Sequence, residues 1–257
     1  MSRLKRVIFA VGIATPLMGA FVFGIEPALA VGPSSTVVSA ETNASLAPEE
    51  KLTKAKEDLT KALDLSLKKV NGLKSRLNEL NFPELSREEE LKNEALKNLD
   101  DYADYYNKAK EDLEKKNSLE EVKDLAKNVK EYRDTIYTPG VEEIVRFVLV
   151  FYNEEVLGIA NDRLSKIETD VKKLDKLGVI KEADFRSKLD EADKLLQKAH
   201  NLQGEAKEII LSATSTDLVK EKKSSAKDMI ENSLNNVKNV YIIFLELNQT
   251  VKKSLGL

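Results

Sequence analysis

The sequence predicts an all-α protein built as elongated antiparallel helical bundles with coiled-coil-like packing. Three observations lead there. Apolar residues recur at steps of three and four over six long stretches, the spacing of one helix face. Glycine and proline are scarce, 10 and 6 in 257 residues, while Leu, Lys, Glu, Asp and Ala are plentiful. The stretches are joined by a few residues each, and short connections force antiparallel neighbours.

The first predicted helix covers 48–80. Pro48 suits the first helical position, where its missing N–H has no intrahelical partner to lose, and Glu49 and Glu50 complement the positive helix end. Leu52, Leu59, Leu63, Val70, Leu73 and Leu77 form its stripe, and Asn81-Phe82-Pro83 ends it. The second opens at Ser86 with Glu89 three residues on, the pattern of a reciprocal capping box. Its stripe is Leu91, Ala95, Leu99, Tyr102, Tyr106, Ala109 and Leu113. The third opens on a second such pair, Ser118 and Glu121, and its stripe through Val122, Val129 and Ile136 is interrupted by Arg133. The gap between the second and third is short enough to be a kink in one helix.

Tyr137-Thr138-Pro139-Gly140 is the clearest mid-chain punctuation, so a boundary is expected there: a helical region over 48–137 and a three-helix bundle over 141–255. The fourth helix, 141–177, is apolar nearly all round at its start and then runs on Leu157, Ala160, Leu164, Ile167, Val171 and Leu174. Gly178 suits the left-handed residue that closes a helix. The fifth, 181–212, is interrupted by Gln203, and Gly204 beside it either costs some helix stability or marks close packing. After a turn at 213–216 the sixth carries Ala226, Ile230, Ser233, Val237, Val240, Phe244, Leu247 and Val251. The string over 54–59 recurs identically over 108–113; in so Lys/Glu-rich a helical chain this reads as coincidence rather than a solenoid repeat.

The N-terminus reads as a cleavable signal peptide over 1–30. Arg3, Lys5 and Arg6 precede an apolar run of about 17 residues, short for a membrane span and broken by Gly12, Pro16 and Gly19. Ala28-Leu29-Ala30 forms the cleavage site. A Ser/Thr/Ala-rich linker follows over 31–47. The expected location is therefore outside the cytoplasm: secreted, periplasmic or on the cell surface, with no stable membrane span after cleavage.

Composition narrows function. The net charge of −3, with both signs interleaved, offers no basic stripe for a phosphate backbone, so nucleic acid is not an expected partner. No cysteine is present, which removes thiol catalysis, disulfides and cysteine-bound metals. His200, the one histidine, has Gln197 where a bundle metal site would need Glu, and reads as a surface or core-edge residue. Glu142-Glu143 and Glu154-Glu155 read as solvated helix faces rather than a catalytic pair. No phosphate loop, nucleophile elbow, zinc or calcium motif occurs. No cofactor and no enzymatic activity are expected.

Tyr102, Tyr105 and Arg133 are the candidate interaction surface. Tyr102 and Tyr106 lie on a stripe, which core filling explains, whereas Tyr105 lies off it in an acidic setting. Arg133, on a core stripe, is expected to pair with a carboxylate of a neighbouring helix. The apolar segment 141–160 is expected to be buried centrally, with a dimer face or a membrane-inserting element as alternatives.

Val129, Tyr132 and Arg133, then Pro139, then Ala160, Asp162, Arg163, Leu164 and Ile167, and the Leu189-Asp190-x-Ala192 region carry a resemblance. In these residues, over roughly half its length, the chain resembles uncharacterised exported all-helical proteins of candidate-phylum bacteria. The resemblance implies an exported helical protein and transfers no activity, cofactor or site. The expected function is a non-enzymatic exported scaffold or binding module, with self-association or an envelope component as partner. A membrane-active protein inserting 141–160 is the first alternative, and an enzyme or metal carrier the second.

Overall fold

The computed structural model describes residues 47–212 and 218–255, with backbone alone over 218–224. The expected signal peptide, nearly all of the linker and the turn at 213–216 lie outside the described residues. Among these residues the chain is α-helical throughout: α1 (Pro48–Glu79), α2 (Arg87–Glu114), α3 (Leu119–Tyr132), a π-helical turn (Arg133–Tyr137), α4 (Thr138–Lys176), α5 (Ala183–Ser212) and α6 (Leu218–Ser254). The chain divides into two compact units between Val148 and Leu149, within α4.

In the unit ending at Val148, α1 and α2 run antiparallel. Lys110 Nζ lies 2.6 Å from Asp64 Oδ1, and Lys74 pairs with Asp100. These exposed pairs contribute at most about 1 kcal/mol each, so burial does the work. Leu63, Val70 and Leu77 of α1, Leu99 and Tyr106 of α2 and Val122 of α3 are almost wholly inaccessible. Each such side chain stabilises the fold by about 1.5–3 kcal/mol relative to exposure. Most of the expected stripe residues are therefore the buried ones, but Leu52 and Leu91 are only half-buried and Ile136 is exposed.

The caps differ in detail from expectation. Ser118 and Glu121 form the full box: Glu121 N–H donates to Ser118 Oγ at 3.3 Å, and Ser118 N–H to Glu121 Oε2 at 3.0 Å. These bonds hold the Glu121 carboxyl below its ordinary pKa, the Asn117 N–H contributing most. Ser86 makes only half a box. Its hydroxyl accepts from Glu89 N–H at 3.1 Å, but the Glu89 carboxylate turns to Lys92, 3.6 Å away. Lys92 in turn donates to the Leu80 carbonyl just past the end of α1 at 2.8 Å.

The expected break at Pro139-Gly140 is not there. The chain passes from α3 through the π turn into α4 without leaving helical conformation. Proline's missing N–H and its ring disrupt an α-helix on the carbonyl four residues back. Here the turn before it widens instead, and Thr138 N–H donates to the Arg133 carbonyl five residues back. Between α2 and α3, by contrast, residues 115–118 form a true interruption.

In the unit from Leu149, the rest of α4 packs with α5 and α6. Ala199 and Ser233, then Lys188 and Glu246, pair between α5 and α6 in opposite order along the chain, so these two are antiparallel. Their common core is built from Leu157, Leu164 and Leu174 of α4, Phe185 and Leu196 of α5, and Val240 and Leu247 of α6 with their neighbours. Gly178 closes α4 at φ +68°. Val179 N–H donates to the Leu174 carbonyl at 3.0 Å and Gly178 N–H to Asp175 at 2.8 Å, which satisfies carbonyls that the helix end leaves free. Val179 packs on the core that contains Leu174.

Segment 141–160 is buried along most of its length, including Val141, Ile144, the run 147–151, Leu157 and Ala160. Among the described residues no helix is long and apolar enough to cross a membrane.

Candidate functional site: a tyrosine cluster at a π-helical turn

Helical spacing places Tyr102 one turn before the adjacent pair Tyr105 and Tyr106 on α2. Tyr132 ends α3, and Tyr137 ends the π turn. These five of the chain's seven tyrosines form one cluster. Tyr102 meets Tyr137 edge-on at 5.5 Å between ring centroids, and Tyr106 meets Tyr137 at 5.4 Å. Tyr132 is edge-on to Tyr102 at 6.5 Å and to Tyr106 at 6.0 Å. Edge-to-face contact is the arrangement the ring quadrupoles favour.

Tyr105 and Tyr132 depart from it. Their rings lie face to face, with centroids 3.5 Å apart and planes only 10° from parallel. Both are half-buried, and the Tyr105 hydroxyl donates to the Asn128 carbonyl at 3.3 Å.

Gly140 is part of the same assembly. A Cβ there would lie 1.9 Å from the Tyr102 hydroxyl oxygen, so the absent side chain is what lets the phenol approach α4. The π turn thus admits Pro139 to the helix, and Gly140 admits Tyr102 against it.

The phenols are hard to ionise. Burial is the main cause, and it pushes Tyr132 and Tyr137 up to about 12 and Tyr102, Tyr105 and Tyr106 upward. Nearby Glu143, Glu131 and Asp101 add to the shift at Tyr102, Tyr105 and Tyr132. The hydroxyls of Tyr106 and Tyr137 are buried with no hydrogen-bond partner among the described residues. Ser66, beside Tyr106, donates to the Ala62 carbonyl instead.

Two of the three expected surface residues sit differently from expectation. Tyr102 is buried, 7% exposed, because its α2 stripe faces the core; it is no surface residue. Arg133 is half-buried but does not reach a carboxylate of another helix. It pairs with its chain neighbour Asp134, Nε to Oδ1 at 2.9 Å, and the guanidinium stays near solvent. Tyr105 is the residue that meets the surface, stacked on Tyr132, with Ile136 half-exposed on the same stretch of chain. That Tyr132 stacks on Tyr105 had no signal in helical periodicity, which relates residues on one helix only.

A second feature stands in the unit from Leu149. Asn153, Gln203 and Ser233, from three helices, are all buried. Asn153 Nδ2 donates to Gln203 Oε1 at 2.6 Å and to Ser233 Oγ at 2.9 Å. Ser233 Oγ donates to the Ala199 carbonyl at 2.9 Å, and Gln203 Nε2 to the Val150 carbonyl. Asn153 Oδ1 is left without a hydrogen-bond partner among the described residues. His200 is exposed and contacts Asn161. Glu142 and Glu143, and Glu154 and Glu155, are exposed on α4; Lys207 reaches Glu154 at 3.0 Å. Among the described residues no three His, Asp or Glu side chains gather as a metal site.

No protein-family model, curated protein or solved structure matches this chain.

Proposed function

We propose that the protein is a non-enzymatic, exported helical scaffold that binds a partner protein through the α1–α2 turn. One observation carries this reading: Leu85 is fully exposed and held at φ +64°. It occupies the third position of a turn closed by Ser86 N–H donating to the Pro83 carbonyl at 3.1 Å. That position favours glycine or asparagine. A leucine there pays backbone strain and gains no burial within its own chain. Such outliers persist where something outside the local structure uses them.

The surroundings describe the partner. Glu84, Glu88, Glu89 and Glu90 flank the leucine, with Arg87 paired to Glu90 at 2.6 Å and Lys92 to Glu89 at 3.6 Å. An apolar anchor in an acidic rim fits a pocket with basic edges and disfavours an anionic membrane surface. Export rests on the signal-like segment over 1–30, and the non-enzymatic reading on the lack of any recognised catalytic motif.

The test is a crosslinking capture from the producing cells with tagged mature protein, run beside Leu85→Gly. Glycine relieves the strain, so the variant folds at least as stably while losing the dominant partner. Unchanged capture by Leu85→Gly overturns the docking assignment, and recovery of the native protein only from cytoplasmic fractions overturns export. Against membrane activity stands the burial of 141–160; leakage of lipid vesicles by the mature chain would reinstate it.

A further inference from the structure

We propose that Tyr105 and Tyr132 are an oxidative cross-linking site, joined into an intrachain dityrosine by a haem peroxidase with hydrogen peroxide. The inference stands independently of export and of the role of Leu85.

Geometry selects this pair. A face-to-face sandwich at 3.5 Å is an arrangement that closed-shell rings avoid. It is well suited to a one-electron-oxidised pair, in which the missing electron is shared across both rings. It also brings ring carbon against ring carbon over the whole face. The other pairs of the cluster stand at 76–88° with centroids 5.4–6.5 Å apart, so ring edges meet ring faces and coupling carbons do not align. Those rings are nonetheless near enough to take an electron from the stacked pair when they are oxidised, which makes the pair the place where oxidation settles.

Proton release selects the same pair. Each phenol must lose its proton as it loses its electron. Tyr105 and Tyr132 are half-buried and open to water, and Tyr105 already donates to the Asn128 carbonyl. The Tyr106 and Tyr137 hydroxyls are enclosed without an acceptor among the described residues. Outside the cluster, the ring neighbours of Tyr241 are Phe244 and Arg163.

The chemistry balances. Each phenol gives up one electron and one proton to become a phenoxyl radical. The two radicals form one carbon–carbon bond between positions ortho to the oxygens, and the product regains aromaticity by moving each ring proton to its oxygen. Two tyrosines and one hydrogen peroxide give one dityrosine and two waters. The bond ties α2 to α3 in a chain that has no cysteine for a disulfide.

The purified protein is treated with a haem peroxidase and one equivalent of hydrogen peroxide. The expected product is a monomer lighter by two hydrogens, with blue biphenol fluorescence, and proteolysis links the Tyr105 peptide to the Tyr132 peptide. Its yield is independent of protein concentration. Tyr105→Phe and Tyr132→Phe each abolish it, whereas Tyr241→Phe leaves it unchanged. Circular dichroism confirms that the phenylalanine variants, which keep the ring stack, remain folded. Links between other tyrosines, predominant intermolecular dimers, or an equal yield from Tyr105→Phe overturns the assignment.

Discussion

Asn153 Nδ2 donates to Gln203 Oε1 across 2.6 Å, joining two buried side chains fifty positions apart on adjacent helices. Ser233 completes a polar layer inside an otherwise apolar core. Such a layer costs desolvation, and it fixes register, because sliding any helix by one turn strands its polar groups among leucines.

Removing Asn153 takes the donor from Gln203 Oε1 in a dry site. Asn153→Leu is therefore expected to lower stability by about 1–3 kcal/mol, although leucine is the more apolar residue. Changing all three positions together, as Asn153→Leu, Gln203→Met and Ser233→Ala, recovers most of that loss, since no orphaned group remains. Urea unfolding of the native protein, Asn153→Leu and the triple variant decides the matter. A neutral Asn153→Leu would show that the layer contributes nothing.

Two helical glycines give opposite expectations for one substitution. Gly204 is exposed, and nothing lies within 4 Å of a Cβ built there. Gly204→Ala gains helix propensity alone and stabilises by about 0.5–1 kcal/mol. It is not a close-packing position. At Gly140 the same gain is outweighed, because the new Cβ would meet the Tyr102 hydroxyl at 1.9 Å and its Cζ at 3.0 Å. Tyr102 is wedged against Tyr132 and Tyr137 and has little room to yield. Gly140→Ala is expected to cost about 1–3 kcal/mol, the usual penalty for overpacking. Adding Tyr102→Phe removes the nearest atom and restores part of the loss, so thermal unfolding of the double-mutant cycle reads a coupling. Additive effects would show that the two residues do not collide.

How far the sequence reaches is visible in these same residues. Periodicity located the helices and most of their buried faces, because each stripe is a property of one helix read along itself. Gln203 registered as an interruption of its stripe, and Ser233 as a member of another. That they face each other and Asn153 is a relation between helices, and a single sequence carries no signal for it. Pro139 misled for a different reason. Its local effect is to end an α-helix, but a π turn supplies a second way to accommodate it. Tyr102 was legible as core from its place on the stripe, and its acidic neighbours were the distraction.

The tyrosine cluster also makes the fold sensitive to alkali. Burial raises Tyr132 and Tyr137 from the ordinary value of 10.0 to about 12, and raises Tyr102, Tyr105 and Tyr106 as well. The neutral phenol is the form the folded state prefers. Below pH 10 the phenols are protonated in both states, and the preference is fully present as stability. Above pH 10 the unfolded chain releases protons that the folded chain retains, so stability falls with rising pH until the folded phenols ionise near pH 12. The half-exposure of Tyr105 and Tyr132 weakens their share, which leaves the buried Tyr106 and Tyr137 as the main contributors. Phenolate absorbance and far-ultraviolet ellipticity followed together from about pH 9 to 12.5 should therefore change in one coincident transition. Tyr137→Phe removes one of the ionising groups and should make stability fall less steeply over that range. If the phenols of Tyr106 and Tyr137 titrate near pH 10 while ellipticity stays constant, the cluster is open to water and its packing is not the one described.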